Sequence, residues 1–356
     1  MRIALVGAGR IGHLHGRLLA QLPGVDDVLV HDAVPERAAR VAGAIRGTFA
    51  PSLEAAIEAA DAVVIAAPTD AHASLVRAAV EAGRPTFVEK PLAFDLDESE
   101  ALVELVERTG ARVQVGFQRR FDPAYAEAAR LVADGSIGRL YVVRLIAHDA
   151  SPPPDHYIPT SGGLFRDSTI HDFDALRFVT GLEVEEVFAL GAVRVSDVFA
   201  RYDDVDTAGA LLTLTDGTIA VLSQTRHNPR GYDVRMELVG SRDAVSMGLG
   251  PRTPSRSLEP DAPTAEAGWD GFLTRFEPAY RAELEAFLPF ARGETASPCS
   301  ARDGLQAMRI AIAATRSRRE RRPVRLAEIA DEPRGSPVPT VSDARKGGGF
   351  DRPIGQ

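Results

Sequence analysis

The chain has 356 residues, 45% of them hydrophobic and 26% charged, with a formal net charge of −9. This is the composition of a soluble globular protein long enough for two domains with their own cores. The negative balance argues against a nucleic-acid or anionic-membrane partner, the single Cys299 excludes a disulfide framework, and no apolar run approaches a membrane span.

In chain order, the first residues enter a strand directly (3–6), with no basic–apolar–small signal pattern, so a cytoplasmic location is expected. "MRIALVGAGRIGHLHGRLLA" then places Gly7, Gly9 and Gly12 after that strand and at the opening of a helix. In this context the first glycine permits the tight turn and the second lets a pyrophosphate approach the backbone. The third lets helix and strand pack closely. Asp32 stands at the end of the next strand, twenty residues after Gly12. A carboxylate there accepts from the ribose hydroxyls and repels a 2′-phosphate, which favours NAD over NADP. Arg37 is the nearest following arginine. His13 and His15 on the first helix are read as packing residues without a role.

Further short, β-rich runs at 28–30, 62–66, 86–88 and 113–115 alternate with helical patterns. Residues 1–118 are therefore expected to form a Rossmann domain, a doubly wound parallel sheet. From 119 to 330 an α+β domain is expected, built on a large, mainly antiparallel open sheet. Its strands crowd between residues 139 and 247, and "LLTLTDGTIAVL" carries Asp216-Gly217 as a hairpin turn. One helix interrupts them, near 167–179, and stops at Thr180-Gly181. Residues 251–268 read as a loop. Trp269, Phe272, Phe276, Tyr280, Leu284 and Phe287 recur at helical spacing as core, and a helix over about 301–315 follows. The arginines at 316, 318, 319, 321 and 322 are read as a solvated stretch after that helix's end, and 331–356 as a disordered tail.

Of the 41 basic residues only Lys90 and Lys346 are lysines. Arginine stays charged at any working pH, whereas an ammonium can shift and exchange a proton. Lys90 follows a strand in "TFVEKPLAF" and precedes Pro91, which favours an extended backbone before it. Asp167 and His171 lie four apart on the predicted helix, so both project from one face, and Asp174 would continue it. A metal reading from Asp167, His171 and Asp172 is available, but no further histidine cluster supports it.

Segments 66–83, 88–93, 115–125 and 161–178, with "VEKPLA" and "DSTIHD" foremost, resemble the glucose–fructose oxidoreductase/inositol dehydrogenase (Gfo/Idh/MocA) family. Val88 departs from it, since many relatives have cysteine there. The resemblance, nearest to members acting on myo-inositol at C2, implies a Lys90, Asp167 and His171 catalytic group. It implies NAD held by Gly7, Gly9, Arg10, Ile11, Gly12, Asp32, Pro68, Thr69, His72, Glu89 and Lys90. A polyol would meet Lys90, Arg119, Asp155, Tyr157, Asp167, His171 and Tyr232. Asp70 is read as a helix cap. Apolar groups on both faces of the second sheet imply a homo-oligomer, a tetramer by resemblance. Three other readings stay open: a dehydrogenase for another polyol or aldose, an NAD-binding regulator without turnover, and an NAD-dependent glycoside hydrolase or dehydratase in which the hydride returns to the substrate.

Overall fold

The computed structural model describes residues 1–261 and 266–330; the tail expected to be disordered lies outside the described residues. The first domain alternates β1 (Arg2–Val6), α1 (Arg10–Leu19), β2 (Asp27–His31), α2 (Pro35–Ile45), β3 (Thr48–Phe49), α3 (Leu53–Ala59), β4 (Ala62–Ile65), α4 (Thr69–Glu81), β5 (Thr86–Glu89), α5 (Leu96–Thr109) and β6 (Val113–Gly116). The strands pair in parallel in the order β3-β2-β1-β4-β5-β6. The sequence pattern missed β3, a two-residue edge strand whose side chains are both exposed. It lacks the apolar run by which a buried strand is read. The order reverses between β1 and β4, and such crevices hold ligands in doubly wound sheets.

After α6 (Pro123–Ala133) come β7 (Leu140–His148), α7 (Ile170–Thr180), β8 (Val184–Ala192), β9 (Thr207–Leu214), β10 (Ile219–Thr225), β11 (Asp233–Gly240) and β12 (Ala244–Met247). The chain closes with α8 (Phe272–Arg275), α9 (Glu277–Arg292), α10 (Ala301–Glu320), β13 (Val324–Arg325) and α11 (Leu326–Ala330). The second sheet runs β12-β11-β7-β10-β9-β8-β13. It is antiparallel except where β7 and β10 pair in parallel. The expected turn joins β9 to β10, with Gly217 at φ 87° and Thr218 N donating to Asp216.

Two helices differ from expectation. α10 starts where Ser300 and Asp303 form a capping box, and runs to Glu320 rather than stopping near 315. Arg316, Arg318 and Arg319 are therefore inside the helix. Arg318 and Arg319 reach Asp203, and Arg322 pairs with Glu320 and Glu328. The aromatic stripe splits, because Trp269 bridges to Tyr232 before α8 begins. Phe276, Leu284 and Phe287 are fully buried as core.

The core does not divide at residue 118. α10 packs against α5 and β6 on one side and α7 and β8 on the other, and α9 lies on α1. One contiguous cluster joins Val63 and Val115 of the first sheet to Leu212 and Leu222 of the second. At the start of the second domain, beside this junction, Arg120 makes a bidentate pair with Asp174, at 2.9 and 2.6 Å, while Asp303 lies 3.2 Å away. The Asp174 side chain is 1% exposed, so this residue serves the domain junction, not the polar face expected of it. Asp174→Ala should lower stability by about 3 kcal/mol, the low end for breaking a buried pair because Asp303 partly compensates. Equilibrium urea unfolding measures this, and an unchanged midpoint would contradict the assignment.

Candidate active site

The glycine turn fits a dinucleotide. Gly7 takes φ 101°, and a Cβ there would lie 2.5 Å from Ala66 O; one on Gly12 would lie 1.9 Å from Gly7 O. A Cβ on Gly9 would meet nothing within 4 Å. Two glycines are thus demanded by packing, while Gly9 leaves the approach to α1 open, as a pyrophosphate requires. Asp32 also holds this turn: Oδ2 accepts from Ala8 N at 2.7 Å and Oδ1 from Val34 N at 2.8 Å. Each oxygen keeps a lone pair for a ribose hydroxyl. In front of the turn a groove of about 510 Å³ is lined by Ala8, Gly9, Arg10, Arg37 and Arg40, among others. Ile11 follows Arg10 in the first turn of α1.

Two cofactor expectations are corrected. His72 is 1% exposed, with Nδ1 2.7 Å from Pro91 O and Nε2 3.0 Å from Ala67 O. It ties the loop after β4 to the loop after β5 and presents no polar atom to a ligand. Glu89 is engaged by His15, with Oε1 2.7 Å from His15 Nε2, and is not among the groove's lining residues. His15 is wholly buried, so its role is to hold the residue beside Lys90. Pro68 is the N-cap of α4 and Thr69 its first residue; Asp70 lies in the first turn without capping. There it favours the positive helix end.

Lys90 and the segment around Asp167 converge from positions 77 residues apart. Lys90 Nζ donates to the main-chain O of Asp167 at 2.7 Å and lies 3.8 Å from its Oδ1. Asp167 is not on a plain α-helix: Phe165–Thr169 is a π-helical turn leading into α7. Such turns inside helices are rare and concentrate at functional sites. The Asp167 carboxylate accepts from Tyr157 Oη at 2.8 Å and from Arg226 Nη2 at 2.6 Å. Burial alone would raise its pKa. The charges of Arg226 and then Lys90, with hydrogen bonds from Arg226 and Tyr157, outweigh burial and hold it below the usual carboxylate range. His171 has a buried Nδ1 without a partner, and its ring meets Phe117 edge-on at 5.8 Å. Burial, and then the charges of Lys90 and Arg119, push its pKa well below 6.5. It is a buried imidazole under the influence of the Lys90 and Arg119 charges.

The remaining substrate expectations divide. Tyr157 joins the group, and burial followed by the Asp167 charge raises its phenol pKa. Asp155 is exposed to solvent and is not brought to the site. Arg119 is 3% exposed, with Nη1 2.6 Å from Asp172 Oδ1, so Asp172 is a counter-ion and Arg119 contributes charge near His171. Tyr232 is 9% exposed against Phe276. Arg226 was missed. It follows β10 and bridges Asp167 to Asp149, whose Oδ2 is 3.2 Å from Nη1. Asp149 follows β7, and only the parallel register Thr225↔His148 makes them neighbours.

A two-domain oxidoreductase with an NAD-binding Rossmann fold is the class these features define. Residues 1–117 match the description "oxidoreductase family, NAD-binding Rossmann fold", and 125–246 match the GFO/IDH/MocA C-terminal domain. The chain is 42% identical over 322 residues to the myo-inositol dehydrogenase Hyg17 of Streptomyces leeuwenhoekii, covering 89% of this chain and 97% of that one. Among solved structures it resembles a myo-inositol dehydrogenase from Sinorhizobium meliloti 1021 (TM-score 0.85, 36% identity, 92% and 99% covered). It also resembles the scyllo-inositol dehydrogenase of Lactobacillus casei with bound NAD(H) and scyllo-inositol (0.82, 27%, 92% and 99%). The chain belongs to the GFO/IDH/MocA family.

A lowered histidine pKa has a definite sign. Below about pH 6.5 the unfolded chain takes up the His171 proton while the folded protein resists it, so stability falls as pH drops. His171→Gln should make the fall in melting temperature between about pH 7.5 and 5.5 shallower. Equal slopes for variant and parent would refute a neutral buried imidazole.

Proposed function

We propose that this protein oxidises a cyclic polyol with NAD, taking myo-inositol to its 2-keto product. The observation that supports this reading is the Lys90–Asp167 contact, with His171 close enough to feel the Lys90 charge, against a background of relatives named for inositol oxidation. NAD supplies the hydride acceptor when bound, held by the glycine turn and by Asp32, whose carboxylate disfavours a 2′-phosphate. No helix among the described residues is long and apolar enough to cross a membrane.

Oxidising a carbinol requires removal of the hydroxyl proton as well as the hydride. His171, neutral at working pH, accepts that proton. Lys90 donates a hydrogen bond to the reacting oxygen and stabilises the charge that develops there. Asp167 keeps the ammonium in place, and Arg226 and Tyr157 keep Asp167 in place. Because burial, and then Lys90 and Arg119, disfavour the imidazolium, His171 binds its proton weakly and passes it on readily. Tyr157 and Tyr232 are the residues we assign to the vicinal hydroxyls. The L. casei relative supports scyllo-inositol as a second substrate.

The outer face of the second sheet exposes Leu190 (55%), Leu211 (51%), Ile219 (50%) and Val221 (39%). Neighbouring strands bring these together, since Val221 pairs with Leu211. Such a face favours burial against another copy, and a homotetramer is the assembly we assign.

Lys90→Arg keeps the charge but changes the donor geometry, and should cut kcat by about 10²-fold or more. Stopped-time NADH absorbance over a panel of inositol isomers and aldoses, with NAD and NADP, tests both this and the substrate. Near-normal turnover by Lys90→Arg, with NAD still bound, would sink the mechanism. Light scattering at micromolar concentration should give an oligomer, and a monomer would remove the tetramer.

A further inference from the structure

Behind Lys90 lies a second group of ionisable side chains that hydride transfer does not use. His15 comes from α1, Glu89 from the last position of β5, and Glu283 from the middle of α9. One ligand-type atom of each lies within 4.8 Å of the other two. His15 and Glu283 are 0% exposed and Glu89 is 8%. The enclosure is apolar: His15 meets the Phe87 ring edge-on at 5.5 Å and Tyr280 at 5.8 Å. Both Glu283 carboxyl oxygens and His15 Nδ1 are buried with no hydrogen-bond partner. Gln114 Nε2 reaches only the main-chain O of Glu283, at 3.3 Å.

Two carboxylates this close, with one imidazole between them, cannot both keep a charge away from water. Glu89 has donors: His15 at 2.7 Å and its neighbour's Lys90 N at 3.2 Å. Glu283 has none. We propose that His15, Glu89 and Glu283 form a buried support for Lys90, in which Glu89 is held by His15 and by Lys90 N and Glu283 is a neutral acid beside it. The three are positioning residues. They lock the end of β5 to the helix that opens the dinucleotide site and to α9, so that Lys90 and the glycine turn move as one unit. The proposal rests on the reading of Lys90 as the group that meets the reacting oxygen.

The other ionisable groups facing the cluster are consistent with it. Burial first, and then the Glu89 charge, drive the Glu283 pKa well above the carboxylate range. Tyr280 on α9 is raised by burial and then by the Glu89 charge, with Tyr232 and Arg119 beyond it. Cys299 is raised by burial and also faces Glu283. His72 on α4 faces Glu89 and Lys90 and is lowered by burial. Three such residues are also metal-ligand types. Against a metal, His15 and Glu89 already touch at hydrogen-bond distance, which a shared proton explains.

The test uses the full-length protein. A carboxyl kept neutral by folding makes stability fall as pH rises above about 4.3, because the unfolded chain releases the proton first. Glu283→Gln imitates the neutral acid, so its melting temperature should exceed that of the parent by a margin that widens from about pH 5 to 8. Glu89→Gln should lower kcat by about tenfold or more, while NAD affinity by calorimetry changes far less. If that variant does not fold, Glu89→Asp, which keeps the charge but shortens the reach, is held to the same result. A melting-temperature margin independent of pH would overturn the proposal. So would unchanged kcat in the Glu89 variant, or stoichiometric divalent metal in the parent that Glu283→Gln loses. Full turnover by Lys90→Arg would instead strike the polyol mechanism. An inactive Lys90→Arg beside a fully active Glu89→Gln would strike the support alone.

Discussion

A carboxylate taken out of water must be met by donors, and Asp167 meets that constraint from three directions. Arg226 comes from the end of a central strand, Tyr157 from the loop before the π-helical turn, and Lys90 from the other domain. Without this carboxylate Lys90 would lose its counter-charge and Arg226 would keep only Asp149, at 3.2 Å. Burial, and then the charges of Lys90 and Arg119, disfavour the charged form of His171. The ion-pair network thus sets the location of the ammonium, while burial together with Lys90 and Arg119 sets the protonation of the imidazole.

That network spans a junction that the core makes rigid. α10 lies between the two sheets, with Ala311, Ala313 and Ala314 fully buried. Small side chains let a helix approach both neighbours closely, so the junction is packed like a single core. The bidentate Arg120–Asp174 pair adds a directional lock near the first residues of the second domain. A site built from two domains keeps its geometry only if they do not slide, and these contacts supply that condition. The buried cluster of His15, Glu89 and Glu283 plays the corresponding part on the opposite side of Lys90.

Much of this was legible in the residues. The glycine spacing, Asp32 and the five apolar runs were enough for the parallel sheet, because a short buried strand and a tight turn leave local patterns. Lys90 stood out through the near-absence of other lysines, and Asp167 and His171 through their spacing. Arg226 was not legible: an arginine after a strand in "SQTR" looks like a surface residue until β10 is known to lie parallel to β7. His15 and Glu283 were passed over for the same reason. A histidine on an amphipathic helix and a glutamate on another give no sign that they share one buried space. Asp174 and Asp155 failed in the other direction. Helical period placed Asp174 on the polar face, but the π-helical turn shifts the register, and Asp155 has no neighbour to draw it inward.

By itself the sequence determined most of the local elements and the dinucleotide turn, and it marked out the candidates for handling a proton. Those depend on interactions between neighbours in the chain: steric limits at glycine, helical and strand periodicity, and side-chain chemistry. Only the tertiary structure decided which charges neutralise one another, which histidine is neutral and which is a buried support, and which aspartate faces the cleft. Those outcomes follow from burial and distance, and both arise when segments far apart in sequence pack into one volume that water cannot enter.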